Sequence, residues 1–499
     1  MRRLALASLL LALAVPVTTQ NAAAQTVSID TGKLKGVTAD GVASFRNIPY
    51  AAPPVGPLRW KPPQPAASWT GERDAAAYGP LCMQKLSKDN GVGPGPASED
   101  CLSLNVFSTD LKARAPVMVW IHGGGFVNGS GTAALYDGSA LARQGVVVVT
   151  INYRLGRFGF FAHPALSKEG GLQANYAMMD MVAALQWVKR NVAAFGGDPG
   201  QVTIFGESAG GVAINQLMLM PQARGLFIRA ISESGVGREP TGALATAEAH
   251  GAAFAEHLGV KPDQPDAAAA LRALSADAIL AVGDPDLGNG DAPIADGVMI
   301  TGNPVAGFRA GKEAKVPFIV GSNAIELPRA WGGYTKGFGG LSEAAEATLV
   351  QAYGSREAFE DRFKSDFIFG EPGRTLARLH AANGQPAWLY RFSILSDGAP
   401  KVMKGTPHAQ ERQYVFETLA ASPWPTGARD AKLAHQVSGY WVRFARTGSP
   451  NGKGEVEWPR YGADDRLLNF TNDGPVAQTT PDAAPLDLIT RRLDPPPAK

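Results

Sequence analysis

Gly206-Glu207-Ser208-Ala209-Gly210 places a serine between glycines, directly after the apolar run Val202 to Phe205 and before an apolar helical pattern. A serine hydroxyl attacks a carbonyl only when a base takes its proton and donors hold the oxyanion that forms. With 58 glycines in the chain, G-x-S-x-G arises by chance often enough that the pattern alone decides little. Its setting decides more: a strand-to-helix turn that projects a serine needs strained backbone angles, and glycine on either side relieves the crowding. A helix starting at Ala209 also presents its positive end to developing negative charge. A second glycine-rich element, His122-Gly123-Gly124-Gly125, follows the run Val117 to Ile121, and successive glycines there let backbone N–H groups approach a substrate oxygen. These residues predict acyl transfer with Ser208 as nucleophile and the N–H groups of Gly124, Gly125 and Ala209 as oxyanion donors.

The serine needs a base, and the chain has seven histidines. His250 and His257 share one face of a predicted surface helix, His435 lies within another helix, and His122 belongs to the glycine loop. His408, in Gly405-Thr406-Pro407-His408, follows the run Trp388 to Phe392, where a loop can swing a base toward the C-terminal edge of a sheet. Glu326, after the run Val316 to Val320, would reach the same edge as the acid that orients the histidine. The chain order of serine, acid and histidine suits that arrangement, but on residue chemistry alone Glu326 stands level with Asp284 and Glu313. No metal and no organic cofactor is required by this chemistry.

These groups must be held by a scaffold. Val117 to Ile121 and Val146 to Ile151 are continuous apolar, β-branched runs, the mark of strands buried on both faces of a parallel sheet. Val202 to Phe205, Ile228 to Ser232, Val316 to Val320 and Trp388 to Phe392 extend the series. Helical patterns cover Tyr176 to Val192, Ala209 to Met220, Ala247 to Leu258 and Asp430 to Arg446. Alternating strands and helices predict an α/β, doubly wound and mostly parallel central sheet. The alternation breaks down from Glu233 to Val316 and from Pro328 to Gln385, which are expected to be helical insertions forming the walls of a cleft.

With 47 basic and 45 acidic residues in 499, the net charge of +2 gives no reason to expect nucleic acid or an anionic membrane as partner. The expected partners are a small molecule and water; oligomeric state is not readable. Arg2 and Arg3, the apolar stretch Leu4 to Val17 and the small residues Ala22-Ala23-Ala24 match a secretory signal over residues 1–24, leaving 25–499 as one domain in the periplasm or outside the cell. The apolar stretch is too short for a comfortable membrane span. In such an oxidising compartment the two cysteines, Cys82 and Cys101, are expected to be bridged.

Longer motifs run through the chain: IPYAAPPVGPLRW from Ile48, SEDCLSLNV from Ser98, WIHGGGFVNG, TINYRLGRFGFF, LQWVKRNVAAFGGDPGQVTIFGESAGG, GSNAIE, GTPHAQE and FARTGSPNG. From about Val27 to Tyr461 the chain resembles the type B carboxylesterase and lipase family, which also holds cholinesterases and the non-catalytic neuroligins. The resemblance implies an α/β-hydrolase fold and a serine carboxylesterase. It places the acid on Glu326, the base on His408 and the oxyanion donors on Gly124, Gly125 and Ala209. It also implies a disulfide between Cys82 and Cys101, an ion pair between Arg59 and Glu99, a buried acid at Glu207 and a supporting hydroxyl at Ser234. Two family glycines are replaced, by Asn47 and Ala177. The Cys82 to Cys101 loop lacks the tryptophan with which cholinesterases hold a quaternary ammonium, so choline ester specificity is not expected. A lipase and a non-catalytic binding module are the alternatives; the first should show an apolar lid, and the intact serine, base and acid speak against the second.

Overall fold

The computed structural model describes residues 23–494, apart from 87–92, 94, 239–241, 285, 286, 288, 289, 291 and 333. The segment read as an export signal lies outside the described residues except for Ala23 and Ala24, which begin the first strand.

Among the described residues, thirteen strands form one sheet. They are β1 (Ala23–Ile29), β2 (Gly32–Ala39), β3 (Val42–Pro49), β4 (Glu72–Asp74), β5 (Ser103–Ser108), β6 (Ala115–Ile121), β7 (Val147–Ile151), β8 (Gly197–Glu207), β9 (Arg229–Glu233), β10 (Phe318–Asn323), β11 (Ala387–Phe392), β12 (Arg466–Thr471) and β13 (Gly474–Thr479). The spatial order is β1-β2-β3-β5-β7-β6-β8-β9-β10-β11-β12-β13, with β4 beside β2. From β7 through β12 every neighbouring pair is parallel, and antiparallel strands flank this block at both ends. The sheet is therefore mostly parallel, as the alternating pattern predicts, and it is the fold of an α/β-hydrolase.

Strand periodicity divides the interior into two layers. Val117, Val119 and Ile121 of β6 join one core cluster, while the intervening Met118 and Trp120 join the other, because successive side chains leave opposite faces of a strand. Helix α1 (Tyr176–Asn191) covers the first face through Met181, Leu185 and Val188. On the opposite face, a later helix (Ala428–Thr447) packs Val437, Trp441 and Phe444 into the second cluster. Only a sheet buried on both faces needs the continuous β-branched runs seen in β6 and β7. Helix α2 (Ala209–Leu217) leaves the end of β8, which sits in the middle of the parallel block.

Both predicted insertions leave the sheet. The first carries helix α3 (Leu244–His257), and the second ends in helix α4 (Glu371–Ala382), so the Ala428–Thr447 helix is α5. Before α4 the chain makes a π turn over Asp366–Gly370. A small separate core of Leu349, Phe359, Phe363 and Ile489 supports this second insertion. No helix among the described residues is long and apolar enough to cross a membrane.

Asn47, standing where the family resemblance leads one to expect glycine, has φ 55°. Asparagine is among the few other residues that visit this region at low cost, so the backbone is kept. Ala177, the other replacement, is buried in α1 and meets Gly159, a packing change only.

Cys82 and Cys101 are joined, 19 residues apart in sequence. Closing a loop of that size removes unfolded-state freedom worth about 3 kcal/mol. Alkylation of the native protein without reductant, read by mass spectrometry, should label neither cysteine; labelling of both would refute the pairing in solution.

Candidate active site

Ser208 sits between β8 and α2 with φ 55° and ψ −122°, a conformation that costs a non-glycine residue about 1–3 kcal/mol. Its N–H donates to Glu233 O at 2.9 Å, which ties the turn to β9. A Cβ on Gly210 would lie 2.0 Å from Ile121 O, and one on Gly206 2.6 Å from the same carbonyl. The flanking glycines are thus needed because β6 crosses directly behind the turn. The hydroxyl is left at the C-terminal edge of the parallel block, the end at which such sheets place ligands.

The loop after β11 brings His408 to that edge. Its Nε2 lies 2.9 Å from Ser208 Oγ, and its Nδ1 lies 2.6 Å from Glu326 Oε2. The second Glu326 oxygen accepts from Ser234 Oγ and from Asn323 N–H, both at 2.6 Å. Two further bonds fasten the histidine loop to the acid loop: His408 N–H donates to Glu326 O at 2.9 Å, and Asn323 Nδ2 donates to Pro407 O at 2.9 Å. Glu326 is fully buried, while the His408 side chain keeps 24% exposure and faces the cleft. With Nδ1 donating to the carboxylate, the neutral ring presents the Nε2 lone pair to the Ser208 hydroxyl.

Gly124 and Gly125 have φ 109° and 60°. A Cβ on Gly124 would fall 2.1 Å from Asn128 O, so the loop closes only around glycine. Neither N–H has a protein acceptor among the described residues, and Ala209, as the first residue of α2, has no intrahelical acceptor either. His122 is a prop for this loop. It is buried, stacks on Tyr153 at 4.3 Å, bonds Gly123 O through Nδ1 at 2.8 Å, and burial lowers its pKa to about 4. It therefore stays neutral.

A Carboxylesterase family model matches residues 23–338 and 340–487. The chain belongs to the carboxylesterase family. It is 36% identical over 495 residues to Fumonisin B1 esterase of Sphingopyxis macrogoltabida, covering 92% of this chain and 89% of that protein. It is 36% identical over 478 residues to Para-nitrobenzyl esterase of Bacillus subtilis, covering 89% and 94%. The solved structure of a PNB esterase superposes with a TM-score of 0.79 at 32% identity, over 93% of this chain and 99% of that one.

This carboxylesterase holds the other sequence-predicted residues as follows. Glu207 is buried with Oε1 3.2 Å from His408 Nε2. Arg59 and Glu99 form a two-pronged ion pair. Of the rival acids, Glu313 pairs with buried His380 instead, and Asp284 accepts from Arg157 through its backbone carbonyl at 3.4 Å. His250, His257 and His435 are exposed on helices.

Four neighbours of His408 escape a residue-by-residue reading. Glu411 and Arg412 lie within one helical turn of it, Asn323 stands three residues before Glu326, and Phe369 in the π turn puts its ring 5.0 Å from the imidazole. Arg412 bonds the Tyr136 hydroxyl at 2.7 Å and approaches Glu207 at 3.8 Å. The carboxylesterase thereby buries Glu207, Glu326 and Glu411 around the His408 imidazole. Burial, with Glu207 and Glu326 nearby, pushes Glu411 up to about 8, and burial with Glu411 nearby pushes Glu233 well above the carboxylate range. For His408, burial is the largest influence and favours the neutral ring, but Glu207, Glu326 and Glu411 together outweigh it and raise the pKa to about 9.

A base works unprotonated, so kcat/KM should climb with pH through the His408 pKa, on a limb displaced to the alkaline side of an ordinary histidine. Replacing Glu207 by Gln removes the charge that does most to hold the His408 proton, and the limb should move acidward. A pH profile of kcat/KM that is the same for parent and Glu207→Gln would contradict this coupling.

Proposed function

We propose that the chain hydrolyses small to medium carboxylic esters through an acyl-enzyme made on Ser208. The observation that carries the reading is the continuous relay from Ser208 Oγ to His408 Nε2 at 2.9 Å and from His408 Nδ1 to Glu326 Oε2 at 2.6 Å, beside unused N–H groups. His408 takes the serine proton as Oγ attacks the ester carbonyl. The oxyanion is held by Gly124, Gly125 and Ala209 N–H, and the alcohol departs with the proton returned by His408. Water, activated by the same imidazole, then releases the acid. Glu326, steadied by Ser234 and Asn323, keeps Nδ1 protonated, and Glu207 stabilises the transient imidazolium. The test is covalent: a phosphorylating ester such as diethyl p-nitrophenyl phosphate should add one equivalent at Ser208 and abolish turnover of p-nitrophenyl acetate. Stoichiometric adduct elsewhere with activity lost would overturn the assignment.

Choline esters should be cleaved no better than neutral esters of the same size. The Cys82 to Cys101 loop offers no aromatic face to repay desolvation of the cation, and Trp331 is 45% exposed in the second insertion. A preference above about tenfold in kcat/KM, or about 1.4 kcal/mol, for acetylcholine over 3,3-dimethylbutyl acetate would show that some aromatic does that work. Residues 1–24 are read as an export signal and 25–499 as one domain. N-terminal sequencing of the exported protein should begin near Gln25, and a start at Met1 would refute it.

A further inference from the structure

A cavity of about 530 Å³ opens beside the oxyanion loop, with Gly125 in its wall. Most of its lining is apolar, from residues such as Leu155, Phe158 and Ile279, yet its two ionisable residues are both cations, Lys85 and Arg157. No carboxylate lines it among the described residues; Asp284 follows the lining residue Gly283 but is not itself in the wall. Arg157 is 7% exposed and fixed, donating to Val282 O at 2.6 Å. Lys85 is exposed, pairs with no carboxylate among the described residues, and carries its Nζ across to Gly283, 3.7 Å from where a Cβ would stand.

Gly125 places this space directly beside an ester whose carbonyl oxygen is held at Gly124 and Gly125. Arg157 is already partnered, so the field in this recess is that of Lys85, the lining cation with no carboxylate beside it among the described residues, and a partly enclosed site screens that field less than open water does. Neutral arms gain only apolar contact there, whereas an arm ending in a carboxylate gains that contact and a counter-ion at its far end. Resting on the reading of Ser208 as nucleophile, we propose that the cavity beside Gly125 receives a carboxylate-ended substrate arm, which Lys85 engages, so that the preferred substrates are anionic esters. Two sources supply such an arm: the acid half, as in a monoester of a dicarboxylic acid, and the alcohol half, as in an acylated hydroxy acid.

The experiment compares monoethyl adipate with its neutral amide, ethyl 6-amino-6-oxohexanoate, and 4-acetoxybutanoate with 4-acetoxybutanamide. At an ionic strength of about 10 mM, kcat/KM should favour the anion by about tenfold or more in one pair, and the pair that responds tells which half of the ester enters the cavity. The advantage should shrink in about 0.5 M salt. In Lys85→Met the anion-to-amide ratio should fall toward one, and in Lys85→Glu it should invert; a surface lysine can be exchanged without endangering the fold. A ratio near one in both pairs, or a ratio indifferent to both Lys85 variants, overturns the proposal. Loss of amide turnover in Ser208→Ala reports separately on the nucleophile, so failure of the anion preference is distinguishable from failure of the proposed mechanism.

Discussion

Ser208→Ala and His408→Ala should each lower kcat for p-nitrophenyl acetate by about 10⁵ to 10⁶, with the double variant scarcely worse than either. The two side chains share one hydrogen bond of 2.9 Å, and in the proposed mechanism neither works without the other. A serine without a base stays a hydroxyl, and a base without the serine has no nucleophile to activate. Losses that multiplied in the double variant would mean the two act independently. Both variants should fold. Alanine can occupy the φ 55° turn no worse than serine does, and the Ser208 N–H bond to Glu233 O is unaffected. His408 holds its loop through backbone bonds to Glu326 that alanine retains. Single-turnover kinetics on protein free of contaminating hydrolase is the measurement. More than about one per cent residual turnover in Ser208→Ala would remove Ser208 from the mechanism.

The middle of the sheet is legible in the sequence because burial on both faces leaves no room for polar residues. Val117 to Ile121 and Val146 to Ile151 fall within a residue or two of β6 and β7. Edges are harder. The hairpin of β12 and β13 carries mixed polar and apolar residues, since its outer face meets solvent, and the sequence reading ends its strands at Phe392. Strand β8 starts earlier than the run Val202 to Phe205, at Gly197, because Asp-Pro-Gly resembles a turn while here it continues along β6 across a register shift. Likewise β10 runs on through Gly321 and Ser322 to Asn323, where the packing of Tyr390 against Gly321, not β-propensity, decides the conformation.

Within the site, legibility follows covalent constraint. The elbow and the glycine loop are written in sequence because no Cβ fits at Gly124, Gly206 or Gly210. The choice of Glu326 over Asp284 or Glu313 is not, since three carboxylates differ only in where the fold carries them. The placement of Glu411 and Arg412 around the imidazole is likewise invisible before folding, although both residues stand close to His408 in the chain. Phe369 reaches the imidazole only because a π turn adds a residue ahead of α4, a local rewinding that helical periodicity does not announce.

Glu326→Gln should lower kcat by about 10⁴, less than loss of the serine or the histidine. Glutamine preserves the shape of the site but offers an amide where His408 Nδ1 now meets a carboxylate oxygen at 2.6 Å. If the amide nitrogen faces the ring, it donates to Nδ1 and forces the proton onto Nε2, the atom that must accept from Ser208. If the amide oxygen faces the ring, the tautomer survives, but the NH₂ group then meets Ser234 and the Asn323 N–H, and an N–H donor is set against a donor. The second orientation would deprive the Asn323 N–H of the acceptor it now meets at 2.6 Å, so the first is favoured and the wrong tautomer prevails. The variant's thermal midpoint should stay close to the parent's. A loss below about tenfold would mean that Glu326 only packs against His408 and that its charge does not serve the reaction.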